Sequence, residues 1–285
     1  MDFKTKTVRV PSLGLDFDVL ADDLIIGPSI EKGSWADHET LLFRKHVRPG
    51  DRVVDLGANV GWFAVQAILA GADVHAFEPV PGIADVAERN MKRAMEAVAK
   101  SGGKGKGVLH RCAAGAEKGS AQIAIGKKNF GDNRVVAGAE RPKDMGDGSN
   151  VTIQIAPVDD FVSGPVRFFK IDTQGFEWFA LAGMTKVLAS SPPCALLIEF
   201  WPYALQGCKP EQLLDLLYGL GFTIGKATEA PYPMTKERVL KQSLDPRRDP
   251  VKGGIDLYGV RGGLPFHVVS LKNRLRAFVR GMKES

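Results

Sequence analysis

The nine residues from Val53 to Gly61, Val-Val-Asp-Leu-Gly-Ala-Asn-Val-Gly, constrain this chain more than any other stretch. They open as an apolar strand, break into a glycine turn and run into Trp62-Phe63-Ala64-Val65-Gln66-Ala67-Ile68-Leu69-Ala70, a helix-like segment. A strand, a glycine turn and a helix N-terminus in that order form a seat for a nucleotide-like ligand. Gly57 permits a turn where a Cβ would clash, and Gly61 lets the helix start lie close to a strand or ligand. The unpaired N–H groups of the first helical turn add donors and the positive end of the helix dipole.

Strands and helices alternate on both sides of this turn. A β-hairpin is expected from Thr7–Val10 and Leu15–Val19 across Pro11-Ser12-Leu13-Gly14. Ser34-Trp35-Ala36-Asp37 has the form of a capped helix start, with Leu41, Leu42, His46 and Val47 on one apolar face. After the glycine turn, Ala72–Phe77 reads as a second strand ending at Glu78-Pro79, and Ile83–Ala99 as a helix. Ser101–Gly107 reads as a solvated linker and Val108–Ala114 as a third strand. Ala121–Ile125 and Val151–Ile155 are further strands flanking a polar excursion, Asn129–Asn150, the first candidate for substrate contact. Then come strand Val166–Ile171, helix Trp178–Ala189, strand Ala195–Ile198, helix Glu211–Leu220, strand Phe222–Ile224 and a last strand, Ile255–Val260. The alternation predicts an α/β fold with a mostly parallel sheet covered by helices on both faces. The expected organisation is an N-terminal β extension over 1–33, a main domain over 34–262 with an insertion at 115–157, and a tail from 263 to 285.

In such a sheet, ligands bind beyond the carboxyl ends of the strands. Asp55, Glu78, Asp172 and Glu199 each end an apolar strand, so all four carboxylates are expected on one rim. Like charges gathered there call for a cationic ligand. A sulfonium cofactor meets that need and a dinucleotide pyrophosphate does not. The turn Gly57-Ala58-Asn59-Val60-Gly61 also lacks the Gly-x-Gly that admits a pyrophosphate. Glu78 lies 21 residues after Gly57, where an acid can accept ribose hydroxyls.

Three segments together resemble the FkbM family of S-adenosylmethionine-dependent methyltransferases. They are Val-Asp-Leu-Gly-Ala-Asn-Val-Gly at 54–61, Phe-Glu-Pro at 77–79 and Phe-Lys-Ile-Asp-Thr-Gln-Gly-Phe-Glu at 169–177. Val158-Asp159-Asp160-Phe161 resembles the acidic element that precedes the last of them, and the likeness covers about residues 34–200. It implies a class I methyltransferase (Rossmann-like) fold, with seven strands and the last antiparallel. It further implies that Asp55, Gly57, Ala58, Asn59 and Gly61 surround the methionine part of S-adenosyl-L-methionine, with Glu78 and Pro79 at the ribose. The implied reaction is methylation of a hydroxyl on a sugar, glycan or secondary metabolite. Gln174 stands where many members carry Glu, so no metal is expected.

An alcohol needs its proton removed before it attacks a methyl group. Asp172 is the first candidate for that base, with Glu177 and Glu199 behind it; Glu177 also suits a first-turn carboxylate facing a helix dipole. Lys170, on a buried-type strand, reads as a partner for a neighbouring carboxylate. N-methylation and a non-catalytic cofactor-binding role, as sensor or assembly subunit, are the competing readings.

Composition narrows the partners. The chain of 285 residues has a net charge of +5, and residues 267–285 hold five basic residues against Glu284 alone. With Val268, Leu271, Leu275, Phe278, Val279 and Met282 at helical spacing, this tail reads as a basic amphipathic helix. It is expected either to dock on the body or to rest on an anionic membrane surface. Charge so localised argues against nucleic acid. The N-terminus has no apolar signal core and no apolar run approaches the roughly 20 residues of a membrane helix, so a cytoplasmic location is expected. Cys112, Cys194 and Cys208 have no metal-like spacing.

Overall fold

The computed structural model describes residues 3–136, 145, 148–247, 249 and 253–266. The tail helix expected at 267–285, and residues 137–144, 146 and 147 of the 129–150 excursion, lie outside these residues.

The chain opens with the hairpin β1 (Thr5–Val10) and β2 (Leu15–Leu20), followed by α1 (Ile26–Glu31) and α2 (Asp37–His46). The central unit runs β3 (Arg52–Leu56), α3 (Trp62–Leu69), β4 (Asp73–Phe77), α4 (Pro81–Lys100) and β5 (Lys106–His110). An excursion follows with β6 (Ala113–Ala114), β7 (Gly119–Ala124), β8 (Arg134–Val136) and β9 (Asn150–Ala156). The chain then returns through β10 (Phe168–Ile171), α5 (Glu177–Ala182), α6 (Thr185–Ala189) and β11 (Cys194–Phe200). It ends, among the described residues, with α7 (Pro210–Gly219), β12 (Thr223–Lys226), α8 (Lys236–Ser243) and β13 (Ile255–Arg261).

Seven strands form the main sheet in the order β12-β13-β11-β10-β3-β4-β5. All neighbours are parallel except β13, which runs antiparallel to both β11 and β12. This is the class I methyltransferase arrangement, last strand reversed. Successive side chains of the central strands enter opposite cores: Val53 and Phe168 pack with α2, α3 and α4, while Val54 and Phe169 pack with α5, α6 and α7. Burial on both faces explains the unbroken apolar runs of β3, β10 and β11. The insertion forms a second sheet, β6-β9-β7-β8.

Three local expectations are corrected. The Val108–Ala114 strand breaks at Arg111-Cys112, because Ala113-Ala114 leave the main sheet to pair with β9. The single helix over 178–189 is two, separated at Gly183; a Cβ there would sit 1.9 Å from the Gly115 carbonyl oxygen, so the chain passes too close to the insertion for a continuous helix. Ser34 does not cap α2. The helix begins at Asp37 after Ala36 turns through a left-handed conformation (φ 49°), and Thr40 Oγ1 donates to the Trp35 carbonyl.

The N-terminal hairpin is bound to the body through one carboxylate. Asp18 on β2 accepts from Arg89 Nε at 2.9 Å and Arg93 Nη1 at 2.7 Å, both on α4. Asn90 exchanges hydrogen bonds with the Asp18 backbone and also donates to the Val60 carbonyl at 2.8 Å. The hairpin is thereby connected to the glycine turn itself.

Candidate active site

The carboxyl ends of β3, β4, β10 and β11 open onto one cavity of about 700 Å³. Its floor is the glycine turn. Gly57 has φ +75°, and a Cβ there would lie 1.9 Å from the Asp172 carbonyl oxygen. The turn after β3 and the turn after β10 therefore touch backbone to backbone, which only glycine allows. Gly57 and Ala58 both donate to the Phe77 carbonyl, at 3.1 and 2.9 Å, drawing the turn toward the end of β4. Asn59 adopts φ 49°, and its side chain accepts from Val60 N–H at 2.8 Å and donates to the Phe130 carbonyl at 2.9 Å. The insertion is thus fastened to the glycine turn.

Glu78 lies 5% exposed at the end of β4, accepting from the N–H groups of Asn59 (3.0 Å) and Val80 (2.9 Å). Burial pushes its carboxyl up to about 7 against those two hydrogen bonds. Two backbone donors leave further acceptor capacity on each oxygen for ribose hydroxyls.

Of the residues expected around the cofactor, Gly57, Ala58, Asn59, Glu78 and Pro79 line the cavity. Asp55 and Gly61 do not. Gly61, at φ +87°, lies against Ala87 of α4, so its smallness serves helix packing. Asp55 is fully buried and stands opposite Lys170 in the β3–β10 register. Neither of its oxygens meets a hydrogen-bond partner in ordinary geometry, and Lys170 Nζ is 3.8 Å away. Burial pushes Asp55 up to about 6, partly offset by that ammonium.

Lys170 is the strut of the site. Its Nζ donates to the Gly57 carbonyl at 2.8 Å and pairs with Asp172 Oδ2 at 3.2 Å. Burial works to lower its pKa, but Asp172 and Asp55 together hold it above the ordinary lysine value. Asp172 is also gripped from the other side: Gln174 Nε2 donates to Asp172 Oδ1 at 2.6 Å and to Glu199 Oε2 at 2.9 Å. Gln174 does this from a left-handed backbone (φ 54°). An amide bridging two carboxylates does what a small cation would otherwise do.

Asp172 and Glu199 line the cavity; Glu177, the third catalytic candidate, does not. Its Oε1 accepts from Thr173 N–H, Thr173 Oγ1 and Gly175 N–H at 3.0–3.1 Å, so it closes the turn ahead of α5. Burial raises its pKa against those bonds.

Two cavity carboxylates outside the 129–150 excursion were not singled out in the sequence. Glu39 on α2 and Asp256 on β13 both line the cavity. Glu39 was hidden in a helix read only for its apolar stripe. Asp256 carried one signal, a charged residue in the apolar run Ile255-Asp256-Leu257-Tyr258. Burial, then Glu39 and Asp172, push Asp256 up to about 7. The described part of the 129–150 excursion supplies Asn129 to Asn133 and Val135 to the opposite wall. That wall is latched to the β11 end by the Arg134 guanidinium, 4.2 Å over the Trp201 ring and paired with Asp132.

A model of the FkbM methyltransferase domain matches residues 55–224, more than half of the chain. The chain belongs to the FkbM methyltransferase family. No curated protein matches it. Among solved structures it is similar to an FkbM methyltransferase from Methylobacillus flagellatus (17% identity, TM-score 0.45), over 76% of this chain and 49% of that one. The chain spans about half the length of that relative. It is also similar to magnesium protoporphyrin IX methyltransferase from Synechocystis with bound S-adenosylmethionine (14% identity, TM-score 0.42, 82% of each chain). A third is a methyltransferase from Corynebacterium glutamicum (11% identity, TM-score 0.42, 82% of this chain and 94% of that one). The family assignment rests on the sequence match.

S-adenosylmethionine is the cofactor of this FkbM protein, and the residues present fit it. The cavity has room beside the Gly57 turn, Glu78 offers oxygens at the end of β4, and acidic groups outnumber the single lining cation, Lys170. Among the described residues no group of three or more His, Cys, Asp or Glu is placed to hold a metal ion. No helix among them is long and apolar enough to cross a membrane.

Proposed function

We propose that this chain methylates a hydroxyl of a small molecule or glycan, with Asp172 as the base. When bound, the cofactor supplies a methyl carbon on a cationic sulfur that departs as a neutral thioether. The residues of the chain do the rest. The Gly57–Asn59 turn and Glu78 hold the donor, and Asp172, in backbone contact with that turn, takes the proton from the acceptor oxygen.

The observation that carries this reading is the fixing of Asp172. One oxygen is held by Lys170 and the other by Gln174, while the side chain keeps 38% of its surface open to the cavity. A carboxylate so held faces an incoming hydroxyl in one orientation, which is the main demand of a displacement at a reactive methyl group. The predominantly acidic lining supports a small acceptor or glycan over a nucleic acid, whose phosphates it would repel.

Methyl transfer from labelled S-adenosylmethionine to a panel of glycans and metabolites identifies the acceptor. With that acceptor, Asp172→Asn is expected to lower kcat by about 10²- to 10⁴-fold, the span of a general base. Calorimetry should show S-adenosylhomocysteine affinity retained. Turnover near wild type in that variant would remove Asp172 from the role.

A further inference from the structure

One surface outside the cavity combines exposed apolar side chains with unpaired lysines. Leu24 and Ile25, just ahead of α1, are 58% and 46% exposed, and they are the one adjacent pair among the exposed large apolar side chains of the described residues. The fold holds this tip in place. Asp23, buried beneath it, accepts from Ile25 N–H at 3.2 Å and from Gly27 N–H at 2.8 Å. Leu24 N–H donates to the Lys128 carbonyl at 2.8 Å, which seats the pair against the Lys127-Lys128 bend. Lys4 and Lys127 line one shallow hollow of about 270 Å³ together with Asp22, over an apolar floor of Phe3, Ile125 and Phe130. Lys4, Lys127 and Lys128 are all exposed, and none of them is in an ion pair among the described residues.

We propose that Leu24, Ile25, Lys4, Lys127 and Lys128 form a docking surface for an anionic phospholipid bilayer. The two apolar tips enter the boundary of the acyl chains, and the lysines lay their stems along that boundary with their ammonium groups at the headgroup phosphates. Each lysine near an anionic surface favours binding by about fivefold, and Asp22 offsets part of that gain. Two apolar side chains fall far short of the roughly 800 Å² that a stable protein partner covers, whereas a bilayer demands no fixed shape. The surface goes beyond the methyltransferase reading and is separate from the tail at 267–285. It adjoins the candidate active site, because Ile26 and Asn129, next in sequence to Ile25 and Lys128, line the cavity. A docked chain therefore holds that cavity beside the bilayer.

The test is sedimentation of the full chain with vesicles of phosphatidylcholine alone and of equal parts phosphatidylcholine and phosphatidylglycerol. Partitioning onto the mixed vesicles is expected to be at least about tenfold stronger. Replacing both apolar tips, Leu24→Ser with Ile25→Ser, should lower it by at least about tenfold. Lys127→Gln with Lys128→Gln should lower it by up to about fivefold for each lysine lost. Both double variants keep the tail. Equal partitioning onto the two vesicles, sedimentation with neither, or full partitioning retained by either double variant would overturn the surface, the last by assigning the binding to other parts of the chain. Calorimetry with S-adenosylhomocysteine, expected to be unchanged in both variants, shows that the fold is intact. It also separates the two readings: failure of the wild type to bind S-adenosylhomocysteine removes the methyltransferase reading alone, and failure to bind vesicles removes the docking surface alone.

Discussion

Gly57 is a glycine for two separable reasons, and substitution can tell them apart. Its backbone is left-handed, which costs an L-residue about 1–2 kcal/mol, and a Cβ would meet the Asp172 carbonyl at 1.9 Å. Gly14 shares the left-handed backbone (φ +70°) but has open space around it. Gly14→Ala should therefore lose about 1 kcal/mol in a denaturant melt and leave cofactor binding alone. Gly57→Ala should lose several times as much and weaken S-adenosylhomocysteine by more than about tenfold, because the turn must move off Asp172. Equal losses in the two variants would contradict the contact. The glycine was legible in the sequence and its collision partner was not, because contact between turns 115 residues apart leaves no local pattern.

Most elements could be read from periodicity because burial on both sheet faces makes the strands apolar without interruption. The failures arose where one element is shaped by another. The 108–114 strand breaks because its end joins a second sheet, and the 178–189 helix divides where it grazes Gly115. The site was legible to the same degree. Strand-end carboxylates announced themselves at Asp55, Glu78, Asp172 and Glu199, but Asp55 faces Lys170 inside the sheet, while Glu39 and Asp256 reach the cavity through packing of α2 on β13. Asp18 shows what one carboxylate does between elements. Burial raises its pKa, but Arg93 and Arg89 prevail and hold it below its ordinary value. A lowered folded-state pKa contributes stability above the ordinary aspartate range that is lost as pH falls below it. Asp18→Asn should thus destabilise the protein by about 1 kcal/mol near pH 7, since both arginines are partly exposed, and the gap should close below about pH 4. A gap that persisted in acid would place the effect in packing.

Across the whole molecule the buried acids push stability the other way. Asp55 is raised to about 6 and Glu78 to about 7. A raised carboxylate favours the folded state while protonated, so its contribution is complete below about pH 4 and is lost as pH rises through 6 to 7. The ligand-free protein should melt several degrees lower at about pH 7.5 than at about pH 5, the shift that about 2 kcal/mol produces in a chain of this size. Calorimetry at the two pH values checks this, and a melting point that is level or higher at the upper pH would contradict it. Saturating S-adenosylmethionine, which brings cationic groups to the rim, should reduce the loss.

The contact between the Gly57 and Asp172 turns, tied by Lys170, makes the proposed donor seat and the proposed base one mechanical block. The walls around it come from elsewhere, and the second sheet leaves and rejoins the chain at adjacent points, with Ala114 paired to Ala156. A segment whose two ends are neighbours can be exchanged as a unit, as domain insertions show. The architecture is therefore modular. One interlock holds the proposed chemistry in place, while the shape presented to acceptors is replaceable by grafting.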